Sequence, residues 1–141
     1  MYVEAYELIR EVLEDEELQA CVKELTGKRL AVIDSGPLVT SPAAGIIFEG
    51  GEITRAENTI QSVDYTVTFT MPHWGRDGMM KCHRLLDEAV EAFFAHEIRA
   101  PSGRSQERNF VMTANPTLME EDPEDKWWAV ALRVTVSIFR G

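Results

Sequence analysis

The chain has 141 residues, with 14 Lys and Arg against 24 Asp and Glu, a formal charge of −10, and 45% hydrophobic and 27% charged residues. That length supports a single domain over residues 1–141 with a core of its own, and the composition excludes intrinsic disorder and fibrous repeats. A field of this sign excludes a basic-patch reader of nucleic acid, although DNA can slide past an acidic wall without being held.

Apolar residues at Ala5, Leu8, Ile9, Val12 and Leu13, then at Leu18, Cys21, Val22 and Leu25, have the spacing of an amphipathic helix. The phase slips across residues 14–17, which predicts two helical pieces or one bent helix. Asp15 is placed to cap the second piece and Thr26-Gly27 to end it. Short aliphatic runs at Leu30–Ile33 and Ile46–Phe48 predict strands separated by a Pro-rich loop, and Gly50-Gly51 predicts a tight turn that folds Ile53 back as a hairpin partner. The next strand is explicit: Val63, Tyr65, Val67, Phe69 and Met71 alternate with Ser62, Asp64, Thr66, Thr68 and Thr70, giving one core face and one polar face.

Asp77 is placed to cap a further amphipathic helix, whose wide stripe includes Met79, Cys82, Leu85, Leu86, Ala89, Val90, Phe93 and Phe94 and which must stop before Pro101. Asn109–Ala114 predicts a strand. Asn115-Pro116 and the acidic run from Glu120 to Asp125 predict a turn and loop. The last strand, Lys126–Phe139, turns Trp128, Val130, Leu132, Val134, Val136 and Ile138 to the core and Trp127, Ala129, Ala131, Arg133, Thr135, Ser137 and Phe139 to the other side. The order of elements predicts an α+β domain, a mainly antiparallel four- to five-stranded sheet with two amphipathic helices packed on it. Either a neighbouring subunit or the N-terminal helix covers the second face of the last strand.

Residues that carry chemistry are sparse. His73, Cys82, His83, His96 and Cys21 are ligand types that zinc accepts, but no C-x-x-C or H-x-x-x-H pair seeds a site, so no metal is expected. No G-x-S-x-G elbow, G-x-G-x-x-G or P-loop occurs, and Gly75-Arg76-Asp77-Gly78 reads as a turn before a helix rather than an anion cradle. No catalytic residue and no cofactor is expected. The two cysteines read as small core hydrophobes, which fits a reducing, cytosolic setting. Met1–Glu7 has neither the basic nor the apolar region of a signal peptide, and the longest run without a charged residue, Ser35–Phe48, is 14 residues, too short for a spanning helix.

Candidate contact residues remain. Trp74 in a turn and Trp127 on the polar face are residue types favoured at interfaces, with Ala129, Ala131 and Phe139 on the same face as Trp127. Arg99, Arg104 and Arg108 form a locally basic segment that fits an acidic partner, including a neighbouring copy's acidic loop.

The whole pattern, from the acidic amphipathic helix through the Thr-alternating strand Val63–Met71 with Trp74 just after it, the helix ending Leu86-Asp87-Glu88-Ala89-Val90-Glu91-Ala92-Phe93 and the finish through Trp127-Trp128-Ala129-Val130-Ala131-Leu132-Arg133-Val134, resembles the tail-terminator, or tail-completion, family of long-tailed bacteriophages, of the minor tail protein U type. The resemblance spans nearly the whole chain and is one of pattern and size. It implies a virion protein assembled in the host cytoplasm, a hexameric ring of copies that caps the finished tail tube and meets a head-completion or neck protein. It implies DNA only passing through the lumen, and no enzymatic activity, cofactor or membrane. Six copies bring a formal charge of roughly −60, the Thr/Asp face of Val63–Met71 suits a lumen wall, and loops at 34–44, 50–59 and 99–108 suit partner contacts. Two other classes compete: a small-ligand-binding or enzymatic domain with its pocket near His73, Trp74 and His83, and an acidic inhibitor of a basic partner.

Overall fold

In a computed structural model, residues 2–33, 42–55, 59–72, 77–98, 108–122, 124 and 127–140 are described. The N-terminal apolar spacing forms two helices, α1 (Tyr2–Leu13) and α2 (Glu16–Thr26), broken at Asp15. The Asp15 backbone is extended at φ −55 and ψ 135, and its Oδ2 accepts from the N–H groups of Glu17 and Leu18 at 3.1 and 3.2 Å. Two donors that a helix start leaves orphaned are thereby satisfied. Gly27, at φ 79, ends α2 in the left-handed conformation and donates to the Lys23 carbonyl.

The chain then forms β1 (Ala31–Ile33), β2 (Ala43–Arg55), β3 (Thr59–Pro72), α3 (Gly78–Ile98), β4 (Arg108–Asp122) and β5 (Trp127–Arg140). Five strands make one sheet in the order β1-β2-β3-β5-β4, antiparallel throughout except for the parallel β1–β2 pair. The fold is α+β, as the element order predicts, with three helices because the first amphipathic stretch is split.

Three expected turns are strand instead. Gly50 and Gly51 do not fold back; they pair with Asp64 and Val63 inside a 13-residue β2, across a register shift after Phe48, with Gly50 at φ 132. A side chain at Gly51 would stand 3.0 Å from the Tyr2 ring and 3.1 Å from the Ser62 carbonyl, so the glycine serves close packing rather than reversal. Asn115 and Pro116 likewise lie within β4, where a second register shift falls between Pro116 and Leu118. An edge strand tolerates proline because one side of its ladder is not required. Glu120, Glu121 and Asp122 continue β4 opposite Ala129, Trp128 and Trp127, so only the end of the acidic run lies beyond the strand. The 50–59 segment is therefore mostly strand, not loop, while most of 34–44 and 99–108 lies outside the described residues.

The inner face of the sheet and all three helices share one core, including Leu8, Ile9, Val12, Leu18, Val22, Val67, Phe69, Leu85, Phe93, Trp128, Val130 and Leu132. Helix α1 thus lies on the same side as α2 and α3 and does not cover the second face of β5. The α3 stripe is narrower than its apolar sequence implies: Cys82, Leu85, Ala89, Ala92 and Phe93 are buried, whereas Met79 and Phe94 are 57% and 55% exposed. Phe94 follows Phe93 by one residue and so points about 100° away. At the other end, Tyr2 and Tyr6 of α1 reach an aromatic row, with ring centroids 6.0 Å apart for Tyr2–Phe48, 5.8 Å for Phe48–Tyr65 and 6.5 Å for Tyr6–Tyr65.

Two polar groups lock the helix junction. The buried Gln19 amide donates from Nε2 to the carbonyls of Leu13 and Leu30 at 2.9 and 3.2 Å, and its Oε1 accepts from the Leu30 N–H at 2.9 Å. His96 Nε2 of α3 donates to Asp15 Oδ1 at 3.0 Å, so one carboxylate serves both α2 and α3. Gly78 at the start of α3 is seated on Trp128, since a Cβ there would stand 2.4 Å from the indole nitrogen. That nitrogen is buried, with no hydrogen-bond partner among the described residues.

Gln19→Ala is expected to lower unfolding free energy by about 2–3 kcal/mol in urea titrations, because buried groups of Leu13 and Leu30 lose their partners. Burial raises the Asp15 carboxyl, but the His96 hydrogen bond and the N–H groups of Leu18 and Glu17 outweigh it, and the net shift is below the ordinary 3.8. A folded-state value below the unfolded one contributes stability above pH 3.8 that is lost as pH falls through and below it. Asp15→Asn is therefore expected to flatten the acid limb of a plot of melting temperature against pH.

Candidate interaction surface

Strand parity assigns the outer face of the sheet, and the cross-strand pairs fill it. In its middle Asp64 accepts from Thr135 Oγ1 at 2.6 Å and from Arg133 at 3.4 Å, and the Ser62 and Ser137 hydroxyls lie 3.1 Å apart. These pairs link the two central strands, β3 and β5, by side chains as well as by backbone. Thr66 and Thr68 extend the polar row, half-buried.

Apolar side chains stand at the two sides of this row. Ile47 on β2 is 53% exposed, and Val111 and Leu118 on β4 are 39% and 43% exposed. Ile47 and Val111 belong to the same face, since Ile47 pairs with Thr66 and Val111 with Ser137. The face thus has a polar centre, with exposed apolar side chains set among Glu52, Thr113 and Asn115 at its margins, unlike a pocket, where polar groups converge in an apolar wall.

Of the residues singled out by sequence, Trp127, Ala129 and Ala131 do lie together on this face, at alternate positions of β5. Trp127 and Ala129 are half-buried and Ala131 is 5% exposed within a single chain, so Trp127 offers the most side-chain surface of the three. Trp127 and Ala129 line a hollow with Glu120, Glu121, Asp122 and Glu124. Trp74, Arg99 and Arg104 lie outside the described residues, as does His73. Arg108 opens β4 opposite Arg140, and Phe139 pairs with Ile60 and Asn109, but their side chains are not among those described. Ile47, Val111 and Leu118 carried no sequence signal of their own, because their exposure follows from strand order rather than from local pattern.

The histidine and cysteine side chains described elsewhere lie on the helices, apart from this face. His83 is exposed on α3, with Nδ1 2.8 Å from the Met79 carbonyl. Cys21 and Cys82 are free and buried; burial pushes the Cys82 thiol up to about 11, and burial with the nearby Glu88 charge raises Cys21. Among the described residues no three His, Cys, Asp or Glu side chains are grouped to hold a metal, and no helix is long and apolar enough to cross a membrane. No protein-family model matches the chain, and a search of curated proteins finds no match.

Both thiols are neutral near pH 7, since a raised pKa moves the thiolate to higher pH. Ellman's reagent at pH 7 is expected to titrate neither in the folded protein over minutes and both after unfolding in guanidinium.

Proposed function

We propose that this chain is a structural virion protein of a long-tailed phage or prophage, a tail terminator that closes into a ring on the tail tube and joins it to a head-completion or neck protein. The observation that carries this reading is the outer face of the sheet, whose centre holds the row of Ser62, Asp64, Arg133, Thr135 and Ser137 and whose margins expose Ile47, Val111 and Leu118. Margins of that kind suit lateral contact between copies, with the apolar surface removed from water only on assembly. The hydroxyl and carboxylate row between them suits a hydrated lumen wall, and the net charge of −10 per copy lets DNA pass without counterion release holding it. The function needs no catalytic residue and no cofactor.

A second reading, an acidic inhibitor of a basic protein, is favoured by the hollow of Glu120, Glu121, Asp122 and Glu124 beside Trp127. The two readings differ in what assembles with what. Light scattering over a wide concentration range, with negative-stain images of the most concentrated fraction, is expected to give a six-chain ring with an open centre. A monomer at every concentration overturns self-association, and a salt-sensitive one-to-one complex with a basic partner selects the second reading.

A further inference from the structure

The margins of the sheet are also its edges, and they are unequal. Strand β1 pairs only with Ala43, Ala44 and Gly45, so among the described residues β2 from Ile46 to Arg55 is paired on its β3 side alone. At the opposite side β4 is, among the described residues, the last strand, with β5 alone beside it. Unpaired backbone N–H and C=O groups along such edges are a template for another strand.

The two open stretches match each other in two ways. Following the register across the sheet, Ile46 aligns through Val67 and Leu132 with Pro116, and Arg55 aligns through Thr59 and Arg140 with Arg108. The free part of β2 therefore occupies the same rows as Arg108–Pro116 of β4. The rows taken by β1 are those of Leu118, Met119 and Glu120, where β4 has shifted register past Pro116. Direction matches too. Three successive antiparallel pairings make β4 run opposite to β2. A second copy rotated about an axis along the strands thus brings its β2 antiparallel to the first copy's β4.

We propose that copies of this chain join by edge-to-edge strand pairing, the Ile46–Arg55 stretch of β2 in one copy adding antiparallel to the Arg108–Pro116 stretch of β4 in the next. The contact is heterologous, because each copy uses one edge to give and the other to receive, and such contacts close into rings or continue as filaments. Backbone hydrogen bonds supply the join, while Ile47 and Val111 cover it on the outer face. The inference rests on the self-association proposed above and specifies its interface.

Lysine on an edge opposes strand addition, so Ile47→Lys blocks the β2 edge; Val111→Glu blocks the β4 edge, because the register puts residue 111 in the row of Glu52 and like charges then face each other across the join; each variant leaves the other edge intact. Both positions are exposed, and melting midpoints within about 4 °C of wild type are expected. Thr113→Glu, on the same exposed face of β4 and in the row of Gly50 beside Glu49, replaces Val111→Glu if that variant does not fold. By light scattering the wild type is expected to be a multimer, each variant alone a monomer, and an equimolar mixture a two-chain species held by its one intact junction. Phe94→Lys, on the exposed side of α3, is expected to leave the multimer unchanged. If either edge variant alone remains a multimer, like-edge or face contacts are at work and the inference falls while self-association stands. A mixture that stays monomeric also overturns it. A wild type monomeric throughout removes both readings together.

Discussion

The buried amide of Gln19 is the constraint on which the arrangement of layers depends. One side chain satisfies the last turn of α1 and both backbone groups of Leu30, the residue that leads into β1. Because a buried amide with an unmet donor or acceptor is costly, the helix pair and the first strand can take only one relative placement. That placement puts β1 at the start of β2 and parallel to it. Asp15 adds the third member by accepting from His96, which fixes the end of α3 over the same junction. With the helices held to one side, the core closes on the inner face of the sheet and the outer face receives the hydroxyls, Asp64 and Arg133.

Much of this was legible in the residues. The two phases of apolar spacing with Asp15 between them specify α1 and α2, and the strict alternation of Val63–Met71 and of Trp128–Ile138 specifies the two central strands and which side of each is core. These elements are readable because burial on one face alone leaves a period in the sequence. The misread positions are those where a long-range neighbour decides. Gly50-Gly51 has the composition of a turn, yet the Tyr2 ring lies close against Gly51. Pro116 has the composition of a breaker, yet it stands on an edge. Phe94 looks like core, yet it points off the stripe set by Phe93. The parallel pairing of β1 had no signature, since three residues are too few to show a period.

The contact surface divides along the same line. Trp127, Ala129 and Ala131 could be grouped from parity alone, because alternate residues of one strand share a face. Ile47 and Val111 could not, because they are 64 positions apart and come to the margins of one face only through the strand order. The burial of Ala131 within one chain is equally a tertiary fact, invisible to local pattern.

The strand order β1-β2-β3-β5-β4 also carries a consequence for how the chain reaches this state. β2 with β3 and β4 with β5 are each local hairpins, but the seam between them joins Thr59 to Arg140 at one end and Pro72 to Trp127 at the other, with α3 lying between the two hairpins in the chain. Closing that seam joins strands separated in the chain by residues 73–126, and contacts of such separation are slow to form. Until it closes, the apolar alternations of β3 and β5, the most aliphatic in the chain, are each an open edge of a half-built sheet. The interval between hairpin formation and seam closure is therefore when this protein is most exposed to pairing with the wrong strand.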